Sequence, residues 1–463
     1  MSTADTIAGR DLAALRAAVA GPVSVPGDAG YDQARQAWNL VADQRPAVVV
    51  EAGSADDVAQ AVRYARARGM RIAPQGTGHG AEPLEPLDGA MLLRTTRMRQ
   101  VRIDPAARTA RAEAGAVWAD VIAPAADHGL AGLAGSSPGV GVAGYTLGGG
   151  MGWLARRYGL AASSVTAAEL VTPNGELVRA DEGHEPELLW AIRGGGGSVG
   201  VLTALEMRLY PVRELYAGAL FFPMARAADV LHAWRAWTAT VPDEVTSMTH
   251  LLRFPPLPEL PEPLRGQAFA VIEAAYLGDA GAGAELIAPL RALGPDRDTF
   301  AMIPAAALGQ LNMDPDQPVP TRGDGTLVAD LPADAIDALA AVAGPDAGTA
   351  LATVEVRHLG GALARPAAGG GAQPSLAASY MIFAAGFAPT PDAAAAAAAQ
   401  AQAVKDALAP WHAGYDYYNF AETPAAASAV LPPASWQRLQ QIKTSYDPDR
   451  VIISAHPVRP ARP

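Results

Sequence analysis

Two short segments carry side chains able to move protons. In Thr353-Val-Glu-Val-Arg-His-Leu-Gly-Gly361, strand alternation puts Glu355 and Arg357 on one face and Val354, Val356 and His358 on the other. A carboxylate beside a guanidinium reads either as a structural ion pair or as a general base that the cation keeps ionised. Tyr415-Asp-Tyr-Tyr-Asn-Phe420 reads as a short aromatic strand, in which Tyr417 or Tyr418 either exchanges a proton or packs a sheet. A phenol near its ordinary pKa of about 10 needs a neighbouring charge or hydrogen bond to act as a base at neutral pH.

A third kind of chemistry lies in the glycines. Pro74-Gln-Gly-Thr-Gly-His-Gly80 is one glycine-rich loop, Gly135 to Gly152 has eight glycines in eighteen residues, and Gly194 to Gly197 is a third run. The long stretch carries no positive charge, so a diphosphate there would be held by backbone N–H groups in nest-like turns. A tightly turned, ligand-free loop is the alternative. Gly139-Val-Gly-Val-Ala-Gly144 and Gly195-Gly-Gly-Ser-Val-Gly200 fit the dinucleotide pattern only loosely. The first follows Ser-Ser-Pro rather than a strand, and Ser164 stands where an acidic residue would bind ribose. Neither segment ends in the Gly-Lys-Ser/Thr of a P-loop, which disfavours NTP hydrolysis.

The elements that must position these groups begin with a β-α-β unit. Pro46 to Glu51 reads as a buried strand, Ser54 as the cap of a helix with Asp56 and Asp57 in its first turn, and Arg71 to Ala73 as the next strand. Val58, Ala61, Val62 and Ala65 give that helix its apolar face, and Gly69 ends it. Strands follow at Met91 to Arg94, Val101 to Ile103 and Thr109 to Ala114, then a helix from Val117 to His128. Pro173-Asn-Gly175 marks a hairpin between Ala168 to Thr172 and Glu176 to Arg179, and Val199 to Arg208 is a further strand. After Pro211 the chain becomes rich in proline and alanine as far as Trp411, with amphipathic stretches at Ala227 to Thr240 and Ala393 to Ala407. This reads as a second domain.

Composition bounds the possibilities. The 463 residues are 50% hydrophobic and 18% charged, enough for a large core, and the net charge of -12 with no basic run argues against nucleic acid. Zero cysteines exclude disulfides, thiolate metal sites and Fe–S clusters, and no metal is expected. Asp5, Arg10, Asp11 and Arg16 interrupt the mildly apolar start, which lacks a signal-peptide core, and no apolar run of roughly 18 residues suits a membrane span. The expectation is a soluble cytoplasmic protein, monomeric or homodimeric.

The order of motifs resembles the FAD-linked oxidases of the berberine-bridge-enzyme type, within the vanillyl-alcohol-oxidase superfamily with its PCMH-type FAD-binding domain. The residues that carry it are Gly76-Thr-Gly-His79, Ser137-Pro-Gly-Val-Gly-Val-Ala-Gly144, Gly148-Gly-Gly-Met-Gly152, Arg157-Tyr-Gly159, Trp190-Ala-Ile-Arg-Gly-Gly-Gly-Gly197 and Tyr446-Asp-Pro448. The resemblance covers most of Ala47 to Pro211 and the last forty or so residues.

It implies an α+β fold: a flavin domain of two α+β subdomains over residues 1–212, a substrate domain over 213–410 whose antiparallel sheet covers the flavin, and a segment, 411–463, returning to the flavin domain. Family members typically attach the flavin to a histidine after Gly-x-Gly, a position that His79 matches, and many add a thioether from a cysteine where this chain has Ser137. One covalent bond is therefore the most expected. The implied FAD-binding residues are Gly76, Thr77, Gly78, His79, Gly80, Ser136, Ser137, Val140, Gly141, Gly144, Gly148, Gly149, Gly150, Gly152, Gly197, Val201 and Asn419.

Tyr145 stands where several relatives place a histidine close to the flavin, and Trp153 reads as a core anchor. Relatives often carry Asn-Tyr where this chain has Asn419-Phe420, so the usual phenol is missing. Candidates for catalysis are thus Glu355, Arg357, Tyr145, Tyr417 and Tyr418. The implied activity is oxidation of an alcohol, amine, sugar or polyketide-type metabolite with dioxygen as acceptor. Oxygenation of a poly-carbonyl substrate with Glu355 as base, and non-catalytic flavin binding, are the alternatives.

Overall fold

The computed structural model describes residues 9–461 apart from 257, 259–261 and 263. Residues 1–8, with Asp5 and part of the start read above, lie outside the described residues. Three sheets organise the rest.

In the first sheet, Val48–Glu51, Met91–Arg94 and Ile72–Gln75 run parallel, and Val23–Ser24 adds an antiparallel edge. Val48, Val49 and Val50 are fully buried, as expected of a parallel strand covered on both faces. Helix Ala55–Ala67 makes the crossover, and Ser54 Oγ accepts from the Asp57 N–H at 3.1 Å as its cap. Asp57 does more than complement the helix dipole. Its carboxylate accepts from the backbone N–H groups of Ala20, Gly21 and Gly53 at 2.8, 3.2 and 2.9 Å, which pins the preceding chain to the helix start.

The second sheet is antiparallel, in the order Val101–Asp104, Thr109–Glu113, Val201–Arg208, Val165–Val171, Leu177–Asp181. The hairpin expected around Pro173-Asn-Gly175 is its Val165–Val171 and Leu177–Asp181 pair.

The third sheet has eight strands and is antiparallel throughout. At its centre, Thr353–His358 lies between Val245–Arg253 and Tyr380–Phe387. One face carries Leu251, Ile272, Val354, Val356 and Ile382 against helices contributing Trp234, Ile336, Leu339 and Val404. Full burial of each such aliphatic side chain contributes about 1.5–3 kcal/mol. The opposite face packs on the rest of the molecule: Met248 clusters with Trp118 and Trp153, and Met381 with Met151, Leu160 and Tyr417. Period-two alternation therefore aims Glu355 and Arg357 toward the glycine loops.

The end of the chain returns to the first two sheets. Helix Pro433–Tyr446 sets Lys443 Nζ against the Ser198 carbonyl at 2.6 Å, and Ile72 exchanges backbone hydrogen bonds with Val451 and Ile453 at 2.8 and 2.7 Å. The segment Tyr415 to Phe420 is not the strand expected from its aromatic pattern. Tyr418–Phe420 forms a 3-10 turn, and the bend swings Asn419 back onto the Gly148 to Gly150 loop.

Candidate functional site

Strand Ile72–Gln75 delivers the first glycine loop. Gly78 has a φ of +88°, and a side chain there would collide with Gln75 and Ala37, so the tight turn requires glycine. The turn presents His79, whose ring stacks on Trp38 at 4.2 Å and whose Nδ1 lies 2.7 Å from Thr77 Oγ1. Burial depresses the imidazole pKa to about 4, so the ring is neutral at physiological pH and keeps a lone pair. The second loop lies against the first, with the Cβ direction of Gly141 facing Thr77 Oγ1 at 3.5 Å.

The glycines fall into two groups. Side chains added at Gly80 or Gly144 would meet nothing within 4 Å, and at Gly139 only Ser137 Oγ at 3.9 Å. At Gly148, Gly149, Gly150 and Gly152 the space is taken by Asn419, Tyr417, Tyr145 and the Ala134 carbonyl respectively, and at Gly197 by Leu147. The run that sequence reading treats as one cradle is thus partly a packing surface for the C-terminal segment. Val201 is fully buried in the core between the first two sheets, so only its backbone is free to face a ligand. Val140 is half-buried at the turn before Gly141.

A dinucleotide needs amide donors, open loops and polar side chains without internal partners. Each glycine loop adjoins one such side chain: Gln75, Thr146 and Ser198 are buried and their side-chain polar atoms have no hydrogen-bond partner. Orphaned polar atoms of this kind cost free energy unless a ligand or water satisfies them. The residues present therefore fit FAD.

Facing the loops is a buried charge cluster. Arg357 holds Glu355 Oε2 with Nη2 at 2.6 Å and Nε at 2.8 Å, and the two residues are 7% and 5% exposed. Nη2 also reaches Ser136 Oγ at 3.3 Å, which joins the third sheet to the loop before Ser137. The guanidinium sits 5.0 Å from the Phe420 ring centre. Burial alone would raise the Glu355 pKa, but Arg357 and then His250 outweigh it and hold the carboxyl below its ordinary value. A cavity of about 20 Å³, room for one water, is lined by Ser136, Trp153, Met248, Arg357, His358 and Leu363.

The tyrosines are placed differently. Tyr145 donates to the Leu133 carbonyl at 3.1 Å and Tyr418 to the Gly196 carbonyl at 3.1 Å, so each hydroxyl proton is spent on backbone. Burial raises both, Tyr418 to about 12, and raises Tyr417 as well. Asn419 does not face a cavity: its Nδ2 donates to the Tyr145 carbonyl at 3.0 Å and its Oδ1 accepts from Gly150 N–H at 3.4 Å. His358, on the opposite face of its strand, contacts Arg156 Nη1 at 3.0 Å.

Four residues of the cluster escape the sequence reading. His250 sits directly across from Glu355 in the sheet register, Glu273 lies one strand further, and Asn312 and Asp314 come from a connecting loop. Glu273, a lone carboxylate inside Ala268–Tyr276, was visible as an anomaly in an otherwise apolar strand. Asn312 and Asp314 offered no such signal. No group of three or more His, Cys, Asp or Glu among the described residues could hold a metal ion, and no described helix is long and apolar enough to cross a membrane.

Residues 46–181 match the FAD binding domain family. The (R)-6-hydroxynicotine oxidase of Paenarthrobacter nicotinovorans is 37% identical over 201 residues, 43% of this chain and 44% of that protein. An FAD-linked oxidoreductase of Bacillus subtilis is 28% identical over 309 residues, 66% of each chain. The chain thus aligns with about half the length, or somewhat more, of these curated relatives. Among solved structures, 6-hydroxy-D-nicotine oxidase from Arthrobacter nicotinovorans superimposes with a TM-score of 0.80 at 25% identity, covering 94% of this chain and 96% of that one. The berberine-bridge-enzyme-like protein 1 of Physcomitrella patens gives 0.85 at 22% identity over 98% and 100%, a likeness of fold. Paired glycine loops facing an antiparallel sheet, with these matches, show an FAD binding domain at residues 46–181 and, for the chain as a whole, the fold of berberine-bridge-enzyme-like proteins.

Proposed function

We propose that the chain is an FAD-dependent oxidase of a small alcohol, amine or sugar, with the flavin attached once, through His79, and Glu355 as the general base. Residues 1–212 and 411–463 hold the cofactor, and 213–410 cover it. The observation that carries the reading is the Glu355–Arg357 pair, buried on the sheet face that meets the Ser136 loop.

Bound FAD would supply the hydride acceptor and the onward route of electrons to dioxygen. The loops at Gly80, Gly139 and Gly144, where an added side chain would meet at most Ser137 Oγ, would hold its polar portion through backbone N–H groups, with Gln75, Thr146 and Ser198 as further partners. His79, neutral and oriented by Trp38 and Thr77, has the free lone pair that a bond to carbon requires. Glu355 takes the O–H or N–H proton of the substrate. Arg357 keeps that base ionised before the transfer and fixes its carboxylate in one orientation. General-base assistance of this type contributes about 10²–10⁴-fold in rate. Tyr145 and Tyr418 act as wall residues rather than bases, because their protons are committed to carbonyls.

The test uses the purified yellow holoprotein. Flavin should stay with the polypeptide after acid precipitation, and His79→Ala should release it. Glu355→Gln should slow anaerobic flavin reduction by about 100-fold or more. Stoichiometric peroxide is expected; incorporation of labelled dioxygen into product would instead establish an oxygenase. A colourless protein, or full-rate reduction in Glu355→Gln, overturns the proposal.

A further inference from the structure

A base that is 5% exposed must lose the proton it gains in every turnover, and Glu355 has no surface of its own through which to do so. Its charged and titratable neighbours are Arg357, His250, Glu273, Asp314 and, further off, Glu422. Arg357 cannot take a proton. His250 is 1% exposed and Glu273 0%, with Glu273 Oε2 3.8 Å from His250 Nε2, so that branch ends inside the protein. Asp314 and Glu422 are half-buried, and of the two only Asp314 has side-chain contacts that lead toward the ion pair.

Two side chains tie Asp314 to the ion pair. Asn312 Nδ2 donates to Asp314 Oδ1 at 2.6 Å, and the same side chain lies against Glu355. Ser136 Oγ accepts from Arg357 Nη2 at 3.3 Å and lies near Asp314. From this arrangement we infer that Asp314 is the proton outlet of the buried base Glu355, a role that rests on the function proposed above. The substrate O–H or N–H bond breaks and its proton forms the Glu355 acid, while the hydride leaves for the oxidised flavin. Glu355 then returns to carboxylate as Asp314 becomes the acid, and Asp314 releases the proton to solvent. No further reactant is needed.

Asp314 touches neither substrate nor flavin in this scheme; it acts through Glu355. The two carboxyls share one neighbourhood and titrate as a pair. Burial, then the Glu355 charge, push Asp314 up to about 6, against Arg357, Asn312 and Ser136. An outlet poised there accepts a proton from its partner and still loses it at neutral pH.

The experiment compares wild type with Asp314→Asn and Asp314→Glu as holoproteins. Asp314→Asn should lower steady-state turnover about ten-fold more than it lowers the single-turnover rate of flavin reduction. Millimolar imidazole or acetate should restore turnover by carrying the proton, and Asp314→Glu should retain most of it. Independently of activity, infrared titration should show a carboxyl with a midpoint of about 6 that Asp314→Asn removes. Equal losses in both rates with no rescue by buffer, or an unaltered infrared titration, would overturn the outlet. Full-rate flavin reduction in Glu355→Gln would instead overturn the base assignment.

Discussion

Asn419 grips the loop around Tyr145 from 274 residues further along the chain, its Nδ2 donating to the Tyr145 carbonyl at 3.0 Å. The same side chain accepts from Gly150 N–H and fills the space left by the missing side chain of Gly148. One amide therefore locks the C-terminal segment onto the loop that would wall the cofactor.

Replacing that amide should cost both stability and cofactor. Asn419→Ala leaves a buried carbonyl and N–H without partners, a loss of about 1–3 kcal/mol. The expected outcome is a lower melting temperature and a reduced flavin-to-protein ratio. An unchanged ratio would show that the latch has no bearing on cofactor binding.

The two groups of glycines should respond oppositely to alanine. A Cβ at Gly152 would lie 1.7 Å from the Ala134 carbonyl oxygen, so Gly152→Ala should destabilise the fold by about 3 kcal/mol or more. Gly144→Ala meets nothing and should fold normally while loading less FAD. Chemical denaturation and flavin absorbance measure the two effects separately. Normal FAD loading in Gly144→Ala would remove that loop from the cofactor site.

That contrast also explains what the sequence could and could not disclose. Glycine marks close approach, but an absent Cβ looks the same whether a phosphate or Tyr417 fills the space, so nothing in the Gly148 to Gly152 run discloses that Asn419, Tyr417 and Tyr145 pack against its Cβ side. The alternation of Glu355 and Arg357 was legible because a strand has a fixed period. The turn at Tyr418 to Phe420 was not, since aromatic residues suit a strand as well and the deciding contact, Asn419 to Tyr145, is distant in sequence. Asp314 could be found only in three dimensions, because nothing near it in sequence marks a loop aspartate as a neighbour of the buried Glu355–Arg357 pair.

A second acidic site predicts a pH effect on stability. Burial, then the charges of Glu82 and Asp324, raise Glu422 to about 8 despite Arg322. A carboxyl raised in the folded state contributes stability that is complete below its unfolded pKa and is lost as pH rises through the folded value. Glu422→Gln mimics the neutral form and should therefore match wild type near pH 4.5 and melt progressively higher than it up to about pH 9. A constant difference in melting temperature across that range would contradict the assignment.

Arg357 offers the most direct test of which group sets the pH dependence of activity. Two of its nitrogens meet Glu355 Oε2, and its charge is the largest influence opposing the burial that would otherwise raise the carboxyl. In Arg357→Gln burial prevails, the Glu355 pKa rises, and the acid limb of kcat/KM must move to higher pH. Arg357→Lys keeps a point charge without the planar fork and should fall between the two. Breaking a buried pair also destabilises the fold, by about 3–5 kcal/mol, so profiles are compared well below each variant's melting temperature. A limb that stays in place while the rate falls would assign Arg357 to substrate orientation and the base to another residue. A limb that moves upward in both variants, further in Gln than in Lys, identifies Glu355 as the proton acceptor and Arg357 as the charge that keeps it ready.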